Sequence, residues 1–398
     1  MKVAIYGGGV VGGGVVELLH RFKEIEIKYL VVRDSSKGRD FEVPKSCTVT
    51  TEIDTPLHDS SVNLVVELMG GLDTAWHVIG TALKSGKHVV TANKALISKR
   101  MSQIEKLLGS LPNPPFFMYE AAVCGGIPVI NTFLRGMHGD EIQSILGVMN
   151  GSTNWMLDQM QRRGVGYADL LDEAKRLGFL EADPSADVLG WDARSKLCIL
   201  ARIAFQVTLD ENLVPCFGID HVSLDDINFA KKNHSSVRLV ARAWKEDSSV
   251  HAVVMPALVL EDRPLGRLSG ATNCVVYHAE HSLEHIMVGS GAGRYPTANS
   301  VVADIVAVQN MIEMGAMKAK HPFGHDATDV RFDSDFTCSF YVRAVSEEAM
   351  KELHACLQEA GITFTDVSGK ATMISPCKFS KLMTSIPKDI VGIVMQLL

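Results

Sequence analysis

The fold of the N-terminal part is decided by the stretch VAIYGGGVVGGGVVELL, which runs from Val3 to Leu19. It opens with apolar, partly β-branched residues, which are typical of a buried strand. Glycines follow at once, and after them comes an apolar pattern of helical spacing. The stretch predicts a strand, a glycine-rich turn and a helix. A signal peptide fits less well, because glycine crowds the apolar region and Glu17 interrupts it.

The turn contains the pattern G-x-G-x-x-G, formed by Gly7, Gly9 and Gly12. In dinucleotide-binding turns these glycines allow, in order, a tight turn, close approach of the backbone to the pyrophosphate, and close packing of the helix. The phosphates lie at the positive N-terminus of that helix. We therefore predict a nicotinamide dinucleotide site at Gly7, Gly9, Val10, Val11 and Gly12, with a purely structural turn as the alternative.

The second predicted strand ends at Arg33, which is followed by Asp34 and Lys37. NAD sites usually carry an acidic side chain here, where it binds the ribose hydroxyls. A guanidinium suits the 2′-phosphate of NADP instead, because it can form paired, charge-assisted hydrogen bonds with it. The sequence favours NADP, bound by Arg33 and Lys37, and Asp34 keeps NAD open as the alternative.

Outward from this turn, residues 1–130 alternate short β-rich runs with amphipathic helical runs, including a helix over 102–108. This alternation predicts an α/β fold with a doubly wound parallel sheet of the Rossmann type. In residues 131–295, predicted helices surround longer β-rich runs, and the first of these helices spans 127–136. This arrangement predicts an α+β domain.

The last third of the chain holds two further predicted parts. Residues 296–318 have helical spacing, and we expect this helix to return to the first domain. Residues 336–398 follow the order strand, helix, strand, strand, helix, strand. This βαββαβ order predicts a ferredoxin-like module.

The composition excludes several classes of protein. A formal net charge of −7 and a pI near 6.1 disfavour a protein that binds nucleic acid through bulk positive charge. We expect no membrane span, since no apolar run reaches the required length. The 8 cysteines are scattered without a C-x-x-C pair, so we expect reduced thiols in a cytoplasmic protein.

A second informative stretch, EADPSADVLGWDARSK, extends from Glu181 to Lys196. We predict one helix over 185–205, on which Asp192 and Lys196 lie one turn apart on the same face. Oxidising an amino alcohol requires removal of its hydroxyl proton and anionic partners for its ammonium, and clustered carboxylates with one lysine supply both. The alternative is a solvated helix with an Asp–Lys salt bridge, and spacing alone favours that alternative.

Five blocks of the sequence resemble homoserine dehydrogenases. They are VVTANKALIS (89–98), EAAVCGGIP (120–128), MNGSTN (149–154), LGFLEADPSADVLGWDARSK (177–196) and GSGAGRYPT (289–297). The matches follow the order of the family from residue 1 to about 320. The resemblance implies NAD(P)-dependent interconversion of L-homoserine and L-aspartate 4-semialdehyde, a step in threonine, methionine and isoleucine biosynthesis. It also implies a homodimer that forms through the sheet of the catalytic domain.

The resemblance further implies which residues act on the substrate. Lys196 corresponds to the catalytic lysine of the family, and Lys94 to a second lysine between cofactor and substrate. Glu181, Asp187 and Asp192 correspond to carboxylates that bind the substrate and orient the lysine.

Two other groups of residues are implied by the resemblance alone. The positions near the nicotinamide and its ribose are Gly70, Thr91, Gly291 and Gly293. The ligands of a monovalent cation are the Glu120 side chain and the carbonyl oxygens of Val123, Gly125 and Ile127. Sodium is the expected ion, because hard oxygen ligands suit it.

The chain departs from the family pattern at two places. Cys124 stands where the family usually has glycine, and we expect it to crowd the cation loop. The C-terminal module resembles an ACT regulatory domain in its order of elements, but Arg343 and the residues after it replace the usual Asp-x-Pro-Gly turn. We therefore expect little regulation by threonine. Because the chain begins at the nucleotide-binding strand, we also expect no fused aspartate kinase.

Two other functions are kept as alternatives. One is another NAD(P)-dependent amino-acid dehydrogenase acting on an aspartate-like substrate. The other is a non-catalytic NADP-binding sensor. A sensor would not need Lys94, Lys196 and the three carboxylates together, so the sequence favours the enzyme.

Overall fold

The computed structural model describes residues 1–316, 322–324 and 329–398. The strands of these residues are β1 (Lys2–Tyr6), β2 (Glu26–Val31), β3 (Thr48–Thr50), β4 (Leu64–Glu67), β5 (His88–Thr91), β6 (Phe117–Met118), β7 (Ile142–Val148), β8 (Ser235–Glu246), β9 (Ser249–Leu260), β10 (Thr272–Ala279), β11 (Leu283–Ser290), β12 (Arg331–Phe332), β13 (Thr337–Ala344), β14 (Phe364–Ser368), β15 (Ala371–Lys378) and β16 (Val391–Leu397).

The α-helices of the same residues are α1 (Val10–Leu19), α2 (Asp54–His58), α3 (Asp73–Lys84), α4 (Lys94–Ser110), α5 (Val129–Asn131), α6 (Gly151–Arg163), α7 (Tyr167–Arg176), α8 (Ser185–Val188), α9 (Trp191–Phe205), α10 (Leu224–Lys232), α11 (Arg294–Glu313), α12 (Glu347–Glu359) and α13 (Phe379–Ser385). A 3₁₀ turn covers Glu120–Ala122, and a π-helical turn covers Thr132–Gly136. Within the described residues, every helix is too short or too polar to span a bilayer.

The chain divides into two compact units, and each is described by itself. Unit 1 contains Met1–Gly139, Cys198–Gln206 and the described residues from Gly289 to Gly324. Unit 2 contains Asp140–Leu197, Val207–Val288 and the described residues from Asp329 to the end.

Unit 1 is built on a parallel sheet with the strand order β3-β2-β1-β4-β5-β6. This confirms the predicted doubly wound sheet of the Rossmann type. The direction of strand succession reverses between β1 and β4, and ligands of such sheets bind outside the carboxyl ends of the strands at this point. The glycine loop follows β1 directly, so it lies at the reversal.

The core of unit 1 lies between this sheet and two helices. Val15 of α1 and Val301 and Ile305 of α11 are fully buried with Val3 and Ile5 of β1. Burying an aliphatic side chain of this size contributes roughly 1.5–3 kcal/mol, so this contact is a large part of what holds the glycine loop in place. The return helix predicted over 296–318 is α11, which begins at Arg294 and ends at Glu313, earlier than predicted; residues 317 and 318 lie outside the described residues.

Unit 2 is built on a mixed sheet with the order β11-β10-β7-β8-β9-β16-β13-β15-β14, and β12 pairs with β9. Most neighbours are antiparallel, which confirms the predicted α+β domain. β13, α12, β14, β15, α13 and β16 form the predicted ferredoxin-like module. Its sheet is continuous with the rest, because β16 pairs in parallel with β9.

The prediction of one helix over 185–205 is wrong. The structure has two helices here, α8 and α9, which are separated by Leu189 and Gly190. Gly190 has a φ of +80°, a left-handed conformation that commonly ends a helix and that glycine adopts without strain. Asp192 and Lys196 both belong to α9 and keep the predicted spacing of one turn.

Other helix boundaries also differ from the prediction. The helix predicted over 102–108 begins earlier, at Lys94, because the Asn93 side chain accepts a hydrogen bond from the Leu96 N–H at 3.1 Å and caps it. The helix predicted over 127–136 is instead α5 followed by the π-helical turn. The short elements β3 and α2 and the helix α10 were not predicted.

Candidate active site

The glycine loop of unit 1 has the local geometry of a dinucleotide-binding turn. Gly7 has a φ of +113°, and a Cβ there would lie 2.6 Å from the Leu68 carbonyl oxygen. A Cβ on Gly12 would overlap the Gly7 carbonyl oxygen. By contrast, no described atom lies within 4 Å of a Cβ placed on Gly9. Two glycines are thus required by packing, and the third leaves open space beside the N-terminus of α1, where phosphate groups bind.

After the end of β2, basic side chains outnumber the acidic side chains that are available to bind a ligand. Arg33 and Lys37 are both exposed. The Asp34 carboxylate accepts hydrogen bonds from the Ser36 hydroxyl at 2.6 Å and the Ser36 N–H at 2.8 Å, and these bonds lower the pKa of Asp34. Because the Asp34 carboxylate is hydrogen-bonded within this turn, it is less available to accept hydrogen bonds from the ribose hydroxyls of a cofactor.

Arg39 is a further cation at this edge that was not among the predicted residues. Its guanidinium donates to the Lys37 carbonyl oxygen at 2.7 Å and to the Asp34 carbonyl oxygen at 3.1 Å. The Arg39 Nε lies 3.5 Å from the position of a Cβ on Gly8. The position of the Arg39 side chain depends on how the loop after β2 folds, and the spacing of residues in the sequence does not predict this.

A buried carboxylate, Glu67, holds two loops at the carboxyl ends of β4 and β5. It accepts hydrogen bonds from the Met69 N–H at 2.8 Å, the Gly70 N–H at 3.2 Å and the Thr91 hydroxyl at 2.7 Å. Burial raises the pKa of Glu67, and these bonds oppose the rise. The network fixes Gly70 and Thr91, the predicted nicotinamide positions, relative to each other.

The same network extends to the start of α4, which carries Lys94. The Asn93 N–H donates to the Thr91 hydroxyl oxygen at 3.0 Å, and the Asn93 side chain donates to the Gly71 carbonyl oxygen at 2.8 Å. Sequence reasoning missed Glu67 and Asn93 as members of the site. Asn93 stood directly before Lys94 in a quoted block, so its capping role was the available signal.

The predicted cation loop is ordered by hydrogen bonds within unit 1. The buried Glu120 carboxylate accepts from the Ile130 N–H at 2.9 Å and the Asn131 N–H at 2.7 Å. The Gly125 carbonyl oxygen accepts from the Ser300 hydroxyl at 2.7 Å, and the Ile127 carbonyl oxygen accepts from the Val129 N–H at 2.8 Å. Each of these oxygens retains a second lone pair, so the loop can still offer oxygen ligands.

The electrostatics of this loop suit a cation. Burial raises the pKa of Glu120, and Asp304 of α11 lies beside it, accepting the Glu120 backbone N–H at 2.8 Å. Burial and the nearby Glu120 raise the pKa of Asp304 to about 7. In the described part of the chain, no group of three or more His, Cys, Asp or Glu side chains is arranged to hold a metal ion.

Gly291 and Gly293 lie next to this loop. The Gly126 N–H donates to the Ser290 carbonyl oxygen at 3.0 Å, and a Cβ on Gly125 would lie 2.5 Å from the Gly291 carbonyl oxygen. Cys124 is fully buried with a φ of +53°, a conformation that favours glycine. The departure from the family pattern therefore appears as a strained backbone conformation at Cys124.

The cluster around Lys196 in unit 2 has buried side chains. The Lys196 ammonium donates to Asp192 Oδ2 and to the Met149 carbonyl oxygen, both at 2.7 Å. Both residues of the pair are only 7% exposed. The interpretation of this pair as a solvated surface salt bridge is therefore wrong. A charge pair kept out of water is costly unless it is well partnered, so such pairs often mark functional sites.

Asn150 joins the cluster and was not among the predicted residues. Its side-chain amide donates to Asp187 Oδ1 at 2.5 Å and to Asp192 Oδ2 at 2.9 Å. The structure therefore brings Asp187, Asp192 and Lys196 together through Asn150. Glu181 lies on the connection before α8, is exposed, and takes no part in the hydrogen bonds made by Asn150.

The C-terminal module contacts α10 through Arg343, the residue at which the expected Asp-x-Pro-Gly turn is missing. Arg343 Nε donates to the buried Asp226 carboxylate at 2.8 Å, and the Tyr341 hydroxyl donates to the same carboxylate at 2.9 Å. A cleft of about 620 Å³ adjoins this contact, and its lining includes none of the predicted catalytic or substrate residues.

Comparisons with known proteins agree with this geometry. The chain matches the family model described as homoserine dehydrogenase over residues 128–306 and the model described as homoserine dehydrogenase, NAD binding domain, over residues 7–110. It is 32% identical over 379 residues to the homoserine dehydrogenase of Bacillus subtilis, covering 92% of this chain and 87% of that one.

Solved structures give the same result. The crystal structure of a homoserine dehydrogenase from Thiobacillus denitrificans matches with a TM-score of 0.87 at 28% identity, covering 100% of this chain and 98% of that one. A hyperthermophilic archaeal homoserine dehydrogenase in complex with NADPH matches with a TM-score of 0.65 at 26% identity, covering 78% of this chain and 97% of that one.

Proposed function

Because the chain belongs to the homoserine dehydrogenase family of oxidoreductases, we propose that it interconverts L-homoserine and L-aspartate 4-semialdehyde with NAD(P). The step would serve threonine, methionine and isoleucine biosynthesis. The observation that carries the proposal is the buried Asp192–Lys196 pair with Asp187 beside it. An ammonium with two carboxylates matches the needs of an amino-alcohol substrate.

The residues of the chain divide the work between proton transfer and substrate binding. Lys196 gives or takes the proton on the substrate oxygen, and Asp192 orients its ammonium. Asp187 and Glu181 bind the substrate ammonium, while Lys94 polarises the substrate oxygen. A bound nicotinamide would supply or take up the hydride that C4 of the substrate gains or loses. General acid–base catalysis of this kind contributes ~10²–10⁴-fold, and orientation of the hydride supplies much of the rest.

NADP is the cofactor we propose, with NAD as the weaker alternative. Arg33 and Lys37 follow β2, while Asp34 is engaged by Ser36. The glycine loop and the N-terminus of α1 suit the pyrophosphate that both cofactors share. The archaeal relative in complex with NADPH supports the same choice. Gly70, Thr91, Gly291 and Gly293 would line the nicotinamide and its ribose.

A monovalent cation, sodium, is proposed at the loop of Glu120, Val123, Gly125 and Ile127. The ligands would be oxygen atoms alone, which suits a hard ion. A cation here would also favour the ionised form of the Glu120 carboxyl, whose pKa burial raises.

A homodimer is proposed through the edge strand β11. This strand ends the mixed sheet, and Leu283, Ile286 and Val288 are 60%, 50% and 57% exposed. An apolar edge strand of this kind invites pairing with another chain, and a second copy would cover it. The 8 cysteines form no disulfide among the described residues, which fits a cytoplasmic location, and we also propose this location.

One assay tests the proposed function. Purified protein is mixed with L-homoserine and either NADP or NAD, and the absorbance of reduced nicotinamide is followed. We expect reduction with both cofactors and a higher kcat/KM with NADP. Faster turnover of another amino acid would favour the related dehydrogenase instead. Binding of NADP without turnover of any amino alcohol would favour the non-catalytic sensor.

A further inference from the structure

Asn150 stands at the N-terminus of α6 and uses every polar atom of its side chain. Its Oδ1 accepts from the Thr153 N–H at 2.9 Å and from the Thr153 hydroxyl at 3.1 Å, so it caps the helix. Its Nδ2 donates both hydrogens to carboxylates, one on Asp187 and one on Asp192. Asn150 is itself only 5% exposed.

Capping explains only half of this arrangement. A cap needs an acceptor oxygen, which Ser or Asp supplies as well as Asn. The amide nitrogen is not required by the helix, yet it reaches residues 37 and 42 positions further along the chain. It is the donor that α6 places between the two carboxylates.

The two carboxylates need such a donor because they repel each other. Lys196 Nζ binds Asp192 Oδ2, which is the same oxygen that Asn150 binds. A charge-assisted hydrogen bond to each carboxylate favours its ionised form and fixes its position. Asp192 can then hold the ammonium of Lys196 in one place while Asp187 remains close.

We propose that Asn150 is a positioning residue for the reaction: its side-chain amide holds Asp187 and Asp192 so that Asp192 presents Lys196 to the substrate. The inference rests on the proposed function, because it assigns Asn150 a role in the same site. Asn150 touches neither cofactor nor substrate in this account and acts through the two carboxylates.

The test uses Asn150→Ser and Asn150→Thr, which are both uncharged, keep an acceptor for the cap and remove the amide donor. We expect kcat for homoserine to fall by roughly 10–100-fold in each, since loss of orientation at a general acid–base group has effects of this order. The KM for NADP and the melting temperature should stay close to those of the wild type. If one variant fails to fold, the other still decides the question.

Asn154 supplies a matched control. It lies one turn further along α6, is 1% exposed, and donates to the Gly270 and Thr272 carbonyl oxygens. Asn154→Ala should lower the melting temperature and leave kcat near normal. If Asn150 acted only through packing, kcat would follow the melting temperature in every variant. Asn154→Ala would then lose more activity than the Asn150 variants.

A double variant separates positioning from a merely structural role. In a Lys196→Met background, Asn150→Ser should change the residual kcat by less than about 3-fold, because residues that act as a unit are not additive. If Asn150→Ser lowered the residual kcat of Lys196→Met by the same factor as it lowers the wild-type kcat, the proposal would be overturned. A normal kcat in both Asn150 single variants would also overturn it. If the wild type itself does not oxidise homoserine, the proposed function fails and this inference fails with it, a result distinct from normal single variants.

Discussion

Two carboxylate clusters of the molecule differ in what neutralises them. In unit 2, Asp187 and Asp192 share the Asn150 amide, and Asp192 pairs with Lys196 at 2.7 Å. In unit 1, Glu120 and Asp304 lie side by side and are bound mainly by backbone N–H groups. One cluster thus contains an ammonium group, the proton carrier that we propose, whereas the hydrogen bonds of the other come mainly from the backbone.

Burial has different consequences in the two clusters. An ammonium within hydrogen-bond distance stabilises an ionised carboxylate, and this favours the arrangement of Asp192 and Lys196 from which we propose that Lys196 exchanges a proton with the substrate. At Asp304, burial and the nearby Glu120 instead raise the pKa to about 7. That cluster would hold a proton or a cation, which suits the sodium site proposed at Glu120.

The largest expected effect concerns the contribution of Asp304, in the carboxylate cluster of unit 1, to the free energy of unfolding. A carboxyl whose pKa is raised in the folded state contributes stability at low pH that is lost as the pH rises towards the folded pKa. The shift of Asp304 from 3.8 to about 7 corresponds to on the order of 4 kcal/mol. In sodium-free buffer, the melting temperature of the wild type should fall from pH 5 to 8, and that of Asp304→Asn should fall less.

Asp59 provides the control for this slope. Its pKa is held well below the usual range by Lys28 and Ser61, so it is ionised throughout the window in both states. Asp59→Asn should lower the melting temperature without changing its dependence on pH. Equal slopes in the wild type and Asp304→Asn would contradict the account of this cluster. Added sodium should flatten the slope of the wild type if the cation binds beside Glu120.

A smaller effect is expected at the end of β2, where charges are exposed and act on a ligand. Arg33→Ala should weaken the binding of NADP by ~1.5–3 kcal/mol, the usual contribution of a hydrogen bond to a charged group. It should affect the binding of NAD little. Dissociation constants from nicotinamide fluorescence measure both. Equal losses for NADP and NAD would remove Arg33 from the recognition of the 2′-phosphate.

Glu181 tests the outer edge of the lysine cluster. Glu181→Gln removes one charge that would bind the substrate ammonium in ground and transition state alike, so it should raise the KM for homoserine by roughly 10-fold with little change in kcat. Steady-state kinetics at saturating NADP measure the split. A large fall in kcat with normal KM would place Glu181 in the chemistry instead.

The smallest effect is expected from threonine. The turn usual in ACT domains is absent, and Arg343 is bound to Asp226. Millimolar threonine should therefore inhibit little. Steep, sigmoidal inhibition that disappears in a protein lacking residues 337–398 would show that the module regulates the enzyme.

The sequence predicted those parts of the site that depend on local spacing. The glycine loop after β1 and the one-turn spacing of Asp192 and Lys196 follow from short-range patterns. The helix break at Gly190 was missed because the apolar spacing continues across it.

The remaining site residues depend on contacts between distant parts of the chain. Asn150 reaches Asp192 across 42 residues, and Glu120 reaches Asp304 across 184. Glu67 ends β4, but its hydrogen bonds to Thr91 and Gly70 require the neighbouring loops to be in place. No spacing rule along one element reveals such partners, which is why the carboxylate networks emerged only from the structure.

The most direct test of the account is the kcat of Lys196→Met at saturating homoserine. Methionine keeps the length and apolar stem of lysine and removes the ammonium, so we predict a fall of ~10²-fold or more with normal NADP affinity. Lys245→Met is the matched control, since Lys245 pairs with Glu141 at 3.5 Å on the surface and should leave kcat unchanged. A near-normal kcat in Lys196→Met would contradict the account and transfer the proton-carrying role to Lys94.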